Sequence, residues 1–204
     1  FYACCRVGYQ GRTTALSRCV PPDGFALRNF RQIRQGVGGE LAMAKKTQYL
    51  LDANVLMEAK RRYYRFGLCP GFWECIAWQY KQGTLGSIDR IKKEIDHGKD
   101  GLTQWVKKSA PAGFFAPSTA TEIAKGFGEM VNWVQGEAQY LPHAKTEFAA
   151  GNDAWLVAYA KQNGLTVVTH EIFNRDVKNR VMIPNVCAEF EVPYIDTFDM
   201  LERL

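Results

Sequence analysis

Apolar and polar positions settle into an alternating rhythm only from about residue 48 onward. The apolar run at 48–51 predicts a strand, and 53–64, with Leu56 and Ala59 on one face, predicts a helix. Pro70 suits the first turn of a helix over 71–81, which Gln82 and Gly83 end. A second strand is expected at 84–88, with Asp89 placed to cap a helix running to about residue 96. A loop at 97–101 leads to a short helix over 102–109, and 113–116, closed by Pro117, is a third strand. Ser118 or Thr119 then caps a longer helix with Ile123, Phe127, Met130, Val131 and Val134 at helical spacing, and 136–145 reads as a loop. A helix over 152–162 stops at Asn163-Gly164, a good C-cap pair. Strands follow at 165–169 and 192–195, and Asp196 or Thr197 caps a last helix over 198–204. Strands alternating with helices predict an α/β fold: a three-layer α/β/α sandwich around a central parallel sheet of about five strands.

Residues 1–42 stand outside that rhythm. They show no helical or strand period, contain Pro21-Pro22-Asp23-Gly24 and Gly36-Val37-Gly38-Gly39, and carry six arginines against Asp23 and Glu40. Most of the chain's net charge of +5 therefore belongs to this prefix and is not a nucleic-acid signature of the fold. The expected organisation is a basic non-domain segment at 1–42 and one domain at 43–204. Three origins are open for the segment: translated upstream sequence with Met43 as the true initiator, a disordered basic arm, or the tail of a fused partner. An arm on RNA phosphates would make binding salt-sensitive. An apolar content of 47% is ample for one core, and no apolar run is long enough to predict a membrane-spanning helix. The six cysteines form no C-x-x-C pair, so free thiols in a reducing cytoplasm are expected and a zinc site is not.

The candidate chemistry lies in four acids. Asp52 closes the run Tyr49-Leu50-Leu51, and Glu94 lies in the first turns after Ser87-Ile88-Asp89. Asp153 opens the segment that continues Ala154-Trp155-Leu156, and Glu171 follows Val167-Val168-Thr169-His170. On neighbouring parallel strands these carboxylates converge at the carboxyl ends, where open α/β folds keep their ligands. Carboxylates held that close repel unless a cation neutralises them. A hard divalent ion on oxygen ligands, magnesium or manganese, is the natural occupant, and a metal-dependent hydrolase is the reading. Each acid alone has a plainer account. Asp52 and Asp153 suit helix caps or first turns, Glu94 a solvated pair with Arg90, and Glu171 an ordinary loop acid. Coincidence at four positions favours the metal, with Asp176 as a substitute for the fourth. No D-x-D follows the first strand, against a phosphatase, and no G-x-G-x-x-G or Walker loop follows it, against nucleotide binding. Phe72, Trp73, Trp78 and Tyr80 are most simply core or dimer surface, with base stacking as the sharper alternative.

Leu50-Leu51-Asp52-Ala53-Asn54-Val55-Leu56 resembles the opening strand and acidic turn of PIN domains. Residues 88–95 with Glu94, Asn152-Asp153-Ala154-Trp155-Leu156 and Val167-Val168-Thr169-His170-Glu171 resemble their second, third and fourth acidic segments, in order, across roughly 47–200. The likeness is to a bacterial PIN-like subgroup in which Cys69-Pro70-Gly71-Phe72-Trp73 and Ile195-Asp196-Thr197-Phe198-Asp199-Met200-Leu201 would recur. It implies a metal-dependent endoribonuclease that hydrolyses RNA phosphodiester bonds, often the toxin of a type II toxin–antitoxin pair. Asp52, Glu94 and Asp153 carry over onto the family's acidic positions. The fourth is usually aspartate and here would be Glu171, whose longer arm reaches a metal if the backbone sits back, or through a water. On this reading Asp52 and Asp153 bind Mg2+ or Mn2+ directly, while Glu94 and Glu171 complete the site. Asn54 and Thr169 orient Asp52 or the water, and His170 contacts phosphate or assists proton transfer. Arg61 and Arg62, with Lys60 and Arg65, hold the RNA backbone or form a solvated helix face. The implied partners are RNA, a small antitoxin protein and a second copy in a homodimer, with no membrane. The departure at Glu171 keeps a non-catalytic PIN-like RNA- or protein-binding module open.

Overall fold

The computed structural model describes residues 48–204, so the expectations for 1–42 and for Met43 lie outside the described residues. Two strands, β1 (Tyr49–Leu51) and β4 (Thr166–Val168), consist of apolar and β-branched residues and are buried at every position. That pattern belongs to strands covered on both faces, the mark of a parallel sheet inside helical layers. With β2 (Leu85–Ile88), β3 (Phe115–Ala116) and β5 (Tyr194–Ile195) they form one parallel sheet in the order β3-β2-β1-β4-β5. All five expected strands are present, each a residue or two shorter than its apolar run. Both edge strands are only two residues long, which leaves little unpaired backbone to recruit another sheet.

The order places the site. The chain moves from β1 outward through β2 to β3, then returns to the other side of β1 with β4 and β5. The direction reverses between β1 and β4, which pair in register Leu50 to Val167 and Leu51 to Val168. A crevice therefore opens beyond the carboxyl ends of these two strands, the switch point at which such sheets bind ligands.

Helices α1 (Ala53–Glu58), α3 (Asp89–Asp96) and α4 (Gly101–Lys108) pack as one group, and α2 (Pro70–Lys81) lies on β2. A second group is α5 (Thr121–Gly136), α6 (Pro142–Ala150), α7 (Asp153–Asn163) and α8 (Ile183–Glu189), with α9 (Thr197–Arg203) closing the chain. Together with the sheet they make three layers. Helix α7 buries Ala154, Leu156, Val157, Ala158 and Ala160, and Gly126 of α5 lets the two helices approach until an added Cβ would meet that of Ala158 at 3.4 Å. It ends as expected at Gly164, whose left-handed φ of 63° suits glycine.

A three-tier stack fixes the start of α7. The guanidinium of Arg90 lies 3.7 Å from the Trp155 ring centre, and Trp155 stacks on Phe127 at 4.2 Å. Arg90 thus serves a ring, and the expected Arg90–Glu94 pair is absent among the described residues. Trp155→Ala is expected to cost about 3 kcal/mol, as large-to-small replacement leaves both neighbours without a partner surface. Urea unfolding of both proteins measures this, and a loss under 1 kcal/mol would show the stack to be ornamental.

Several local expectations need correcting. The first helix is α-helical only to Glu58; residues Ala59–Tyr63 form a π-helical turn, with the Tyr64 N–H reaching the Ala59 carbonyl at 2.6 Å. Asp89 does not cap α3: its Oδ1 accepts the N–H and hydroxyl of Ser118, at 3.1 and 2.6 Å, tying the end of β2 to the segment after β3. Ser118 is thereby spent, and α5 starts at Thr121 without a side-chain cap. The expected loop at 136–145 already contains the first turns of α6, and α8 was not anticipated. Phe72 and Trp73 are buried core residues, whereas Trp78 is 49% exposed.

Candidate metal centre

The acidic edge begins where β1 stops. Asp52 keeps extended backbone angles and its N–H bonds the Val168 carbonyl at 3.0 Å, so the sheet still holds its main chain. The residue is buried, 4% exposed. Oδ1 accepts the Ala53 N–H at 2.6 Å and Oδ2 accepts the Thr169 hydroxyl at 3.0 Å. The capping and the site readings of Asp52 thus coexist in one carboxylate.

The direction of these bonds follows from elementary valence. The His170 N–H, which can only donate, points to Asn54 Oδ1 at 3.1 Å. The Asn54 amide therefore turns its Nδ2 to Thr169 Oγ1, at 3.0 Å, and the Glu171 N–H reaches the same oxygen at 3.2 Å. Both lone pairs of that hydroxyl are occupied, and its one proton is left for Asp52. Asn54, Thr169 and the turn after β4 together hold Asp52 Oδ2 as an acceptor.

The other three acids approach from separate elements. Asp153 is the first residue of α7, its carboxyl favourably placed at the helix N-terminus. Glu94, in the last turn of α3, accepts the Asn152 side-chain amide at 3.1 Å, which joins it to the residue before Asp153. Glu171 stands behind them with both oxygens engaged. Oε2 accepts the Ile183 N–H at 2.7 Å, and Oε1 is held by the guanidinium of Arg180. Its side chain is 7% exposed, that of Arg180 58%.

Electrostatics tie the set together. Burial, then the negative charges of Asp153 and Glu171, raise the Asp52 carboxyl well above the usual range. Asp153 is raised to about 7, by burial first and then by Glu171 and Glu94, with Arg180 opposing. Burial and the charges of Glu171 and Asp52 push the Cys187 thiol up to about 12, so it stays neutral beneath the site. Acids on four segments far apart in sequence therefore act on one another.

A divalent ion fits this set by chemistry. The candidate ligand atoms are all carboxylate oxygens, Asp52 and Asp153 are desolvated, and the set's charge exceeds that of Arg180. Among the described residues, no three His, Cys, Asp or Glu side chains stand close enough to clasp one ion in the placement seen. Glu171 in particular has both oxygens engaged, by Arg180 and by the Ile183 N–H.

The remaining expected site residues lie further out. Arg61 and Arg62 are largely exposed on the π turn and both reach Glu58, at 3.8 and 2.8 Å, while Lys60 pairs with Asp100 at 2.7 Å. His170 contacts Thr197 Oγ1 through Nε2 at 3.0 Å, and burial lowers its pKa below the ordinary value. Asp176 is exposed in the loop, its N–H bonded to Asn174, and does not figure among the charges acting on Asp52 or Asp153. Two residues escaped sequence reasoning. Asn152 serves Glu94 from the position before α7, and Arg180 sits in a polar stretch with no pattern to mark it.

A family model described as "Domain of unknown function (DUF4411)" matches residues 49–204, the whole sheet and all four acids of the candidate site. The chain belongs to DUF4411. In this DUF4411 domain the match begins at the first residue of β1 and runs through α9. A comparison with curated proteins gives no match. Among solved structures, FitAcB from Neisseria gonorrhoeae is similar at 15% identity and a TM-score of 0.44, covering 72% of this chain and 96% of that one. No helix among the described residues is long and apolar enough to cross a membrane.

Proposed function

We propose that the protein is a metal-dependent endoribonuclease that hydrolyses RNA phosphodiester bonds beyond the ends of β1 and β4. The observation that carries this reading is a pair of buried carboxyls at the switch point of the sheet, Asp52 and Asp153, each raised by burial and by neighbouring acids. A structural network would pair such charges; among the described residues Arg180 is the cation that opposes them at Asp153. Magnesium or manganese, when bound, would lower the pKa of a water and neutralise charge developing on the phosphate. Asp52 and Asp153 are the direct ligands in this reading. Thr169 aims Asp52, Asn152 holds Glu94, and Glu171 acts through Arg180, whose exposed guanidinium suits a phosphate oxygen. In-line attack needs no covalent enzyme intermediate, and no nucleophilic side chain is required.

The direct test incubates the purified chain with a mixed RNA pool in magnesium or manganese and in EDTA. Fragmentation is expected with metal alone. An intact pool, together with no metal-dependent rise in melting temperature, would overturn the reading. On the family resemblance, the cellular role is that of a toxin held by a small antitoxin protein, acting in the cytoplasm.

The double engagement of Glu171 favours a second reading, a non-catalytic RNA-binding module in which Arg180 substitutes for the cation. That module would bind RNA equally in metal and in EDTA and leave it uncut.

A further inference from the structure

The π turn has a consequence beyond the acids. Inserting one residue into the helical repeat rotates the chain after Glu58, and Tyr63 comes to lie beside His170 and the start of α9. The rings of Tyr63 and Phe198 meet edge to face at 5.4 Å and 84°, and His170 lies 6.3 and 6.2 Å from them. An edge-to-face pair covers one face of one ring only. Tyr63 remains 45% exposed and Phe198 41%, unusual for aromatic rings in contact with one another.

We propose that Tyr63, His170 and Phe198 form a platform on which an unpaired base of single-stranded RNA stacks beside the acidic edge. The inference rests on the nuclease reading for its substrate class, and three observations carry it. First, the platform is built into the site: the His170 N–H bonds Asn54, and its ring is steadied by Thr197, the neighbour of Phe198. His170 directly follows Thr169, whose hydroxyl aims Asp52. Second, the charge is complementary. Arg61 and Arg62 directly precede Tyr63, their side chains 68% and 70% exposed, and their shared acid Glu58 is a surface partner a phosphate can replace. Third, a base presents its π face only when unpaired, whereas a duplex hides it. An apolar protein partner would meet two arginines at the rim of this small cluster, which argues for the polyanion.

The test measures binding of a fluorescently labelled single strand, and of the same strand annealed to its complement, by anisotropy in EDTA. Tyr63→Leu and Phe198→Leu keep apolar bulk and remove the ring. Each is expected to weaken single-strand binding about tenfold and to leave duplex binding unchanged. Undiminished single-strand affinity in the double variant would overturn the proposal. So would loss of a dimer in that variant with RNA affinity intact, which would reassign the rings to a protein interface. A readout on the unaltered protein guards against misfolded variants: a 2-aminopurine base is expected to be quenched at one position of the strand, and no quenching anywhere would sink the platform. EDTA keeps the strand uncut, so the two ideas fail separately. Metal-dependent cleavage with an unchanged KM in the leucine variants would remove the platform alone. Strand binding that needs the rings, in a protein that never cleaves, would remove the nuclease alone.

Discussion

Asp52→Asn is expected to reduce metal-dependent RNA cleavage by more than about 100-fold, since removing even an outer hydrogen-bond partner of a metal ligand typically costs 10–100-fold. The substitution deletes the charge at the position where the sheet, the Ala53 N–H and the Thr169 hydroxyl all converge. It also breaks one bond. An asparagine presents an NH2 to one of the two donors that Asp52 accepts, and Thr169 has no free lone pair with which to turn round. Some stability is therefore lost as well, and the melting curve of the variant must accompany its rate. Thr169→Val separates the effects: it leaves the Asp52 carboxylate in place but unaimed, and a fall of about 10–100-fold is expected. Initial rates on a labelled RNA, with a melting check, decide the matter. An Asp52→Asn rate within tenfold of the unaltered chain would remove Asp52 from the reaction.

The sheet was legible because β1 and β4 are short, apolar and bounded by turn residues, and α5 and α7 showed their period or their caps openly. What escaped has a common physical origin. Helix α8 buries Ile183, Pro184, Asn185, Val186 and Cys187 in succession, so it carries no amphipathic period, and Pro184 reads as a breaker although it sits in the first turn. Helix α6 buries only Ala144 and Phe148, too little to form a stripe. The caps at Asp89 and Ser118 were misassigned because each satisfies the other across 29 residues, a bond with no local signature. The same holds at the site. Asp52, Asp153 and Thr169 sit at strand or helix ends where position alone marks them. Arg180 pairs with Glu171 from a loop whose path is set by Ile183 and Asn185, and that pairing exists only in three dimensions.

Without metal, the protein is expected to lose stability as pH rises from 5 to 8, and Asp153 identifies the cause. Its folded carboxyl is raised to about 7, and that of Asp52 is raised also, so both hold protons more tightly in the folded chain than in the unfolded one. Folding then takes up protons, and the stability tied to them is complete only below the unfolded value of about 4, draining as pH climbs through the folded one. Asp153→Asn cannot ionise and escapes this penalty. Its advantage over the unaltered chain in EDTA is expected to grow by about 2 kcal/mol between pH 5 and 8, after allowance for partial exposure, or about 4–8 °C in Tm. Divalent metal should reverse the ranking. Millimolar magnesium or manganese favours the ionised carboxylates, so it raises Tm for the unaltered chain at pH 8 and does little for Asp153→Asn. Melting curves at two pH values, with and without metal, give the answer. An unaltered chain that is more stable at pH 8 than at pH 5 in EDTA, or an equal metal response in both proteins, would mean that Asp153 is a helix-start acid and nothing more. The predicted pattern would mean that the fold tolerates an unfavourable cluster of charge at the switch point of its sheet, a cost that a bound cation offsets.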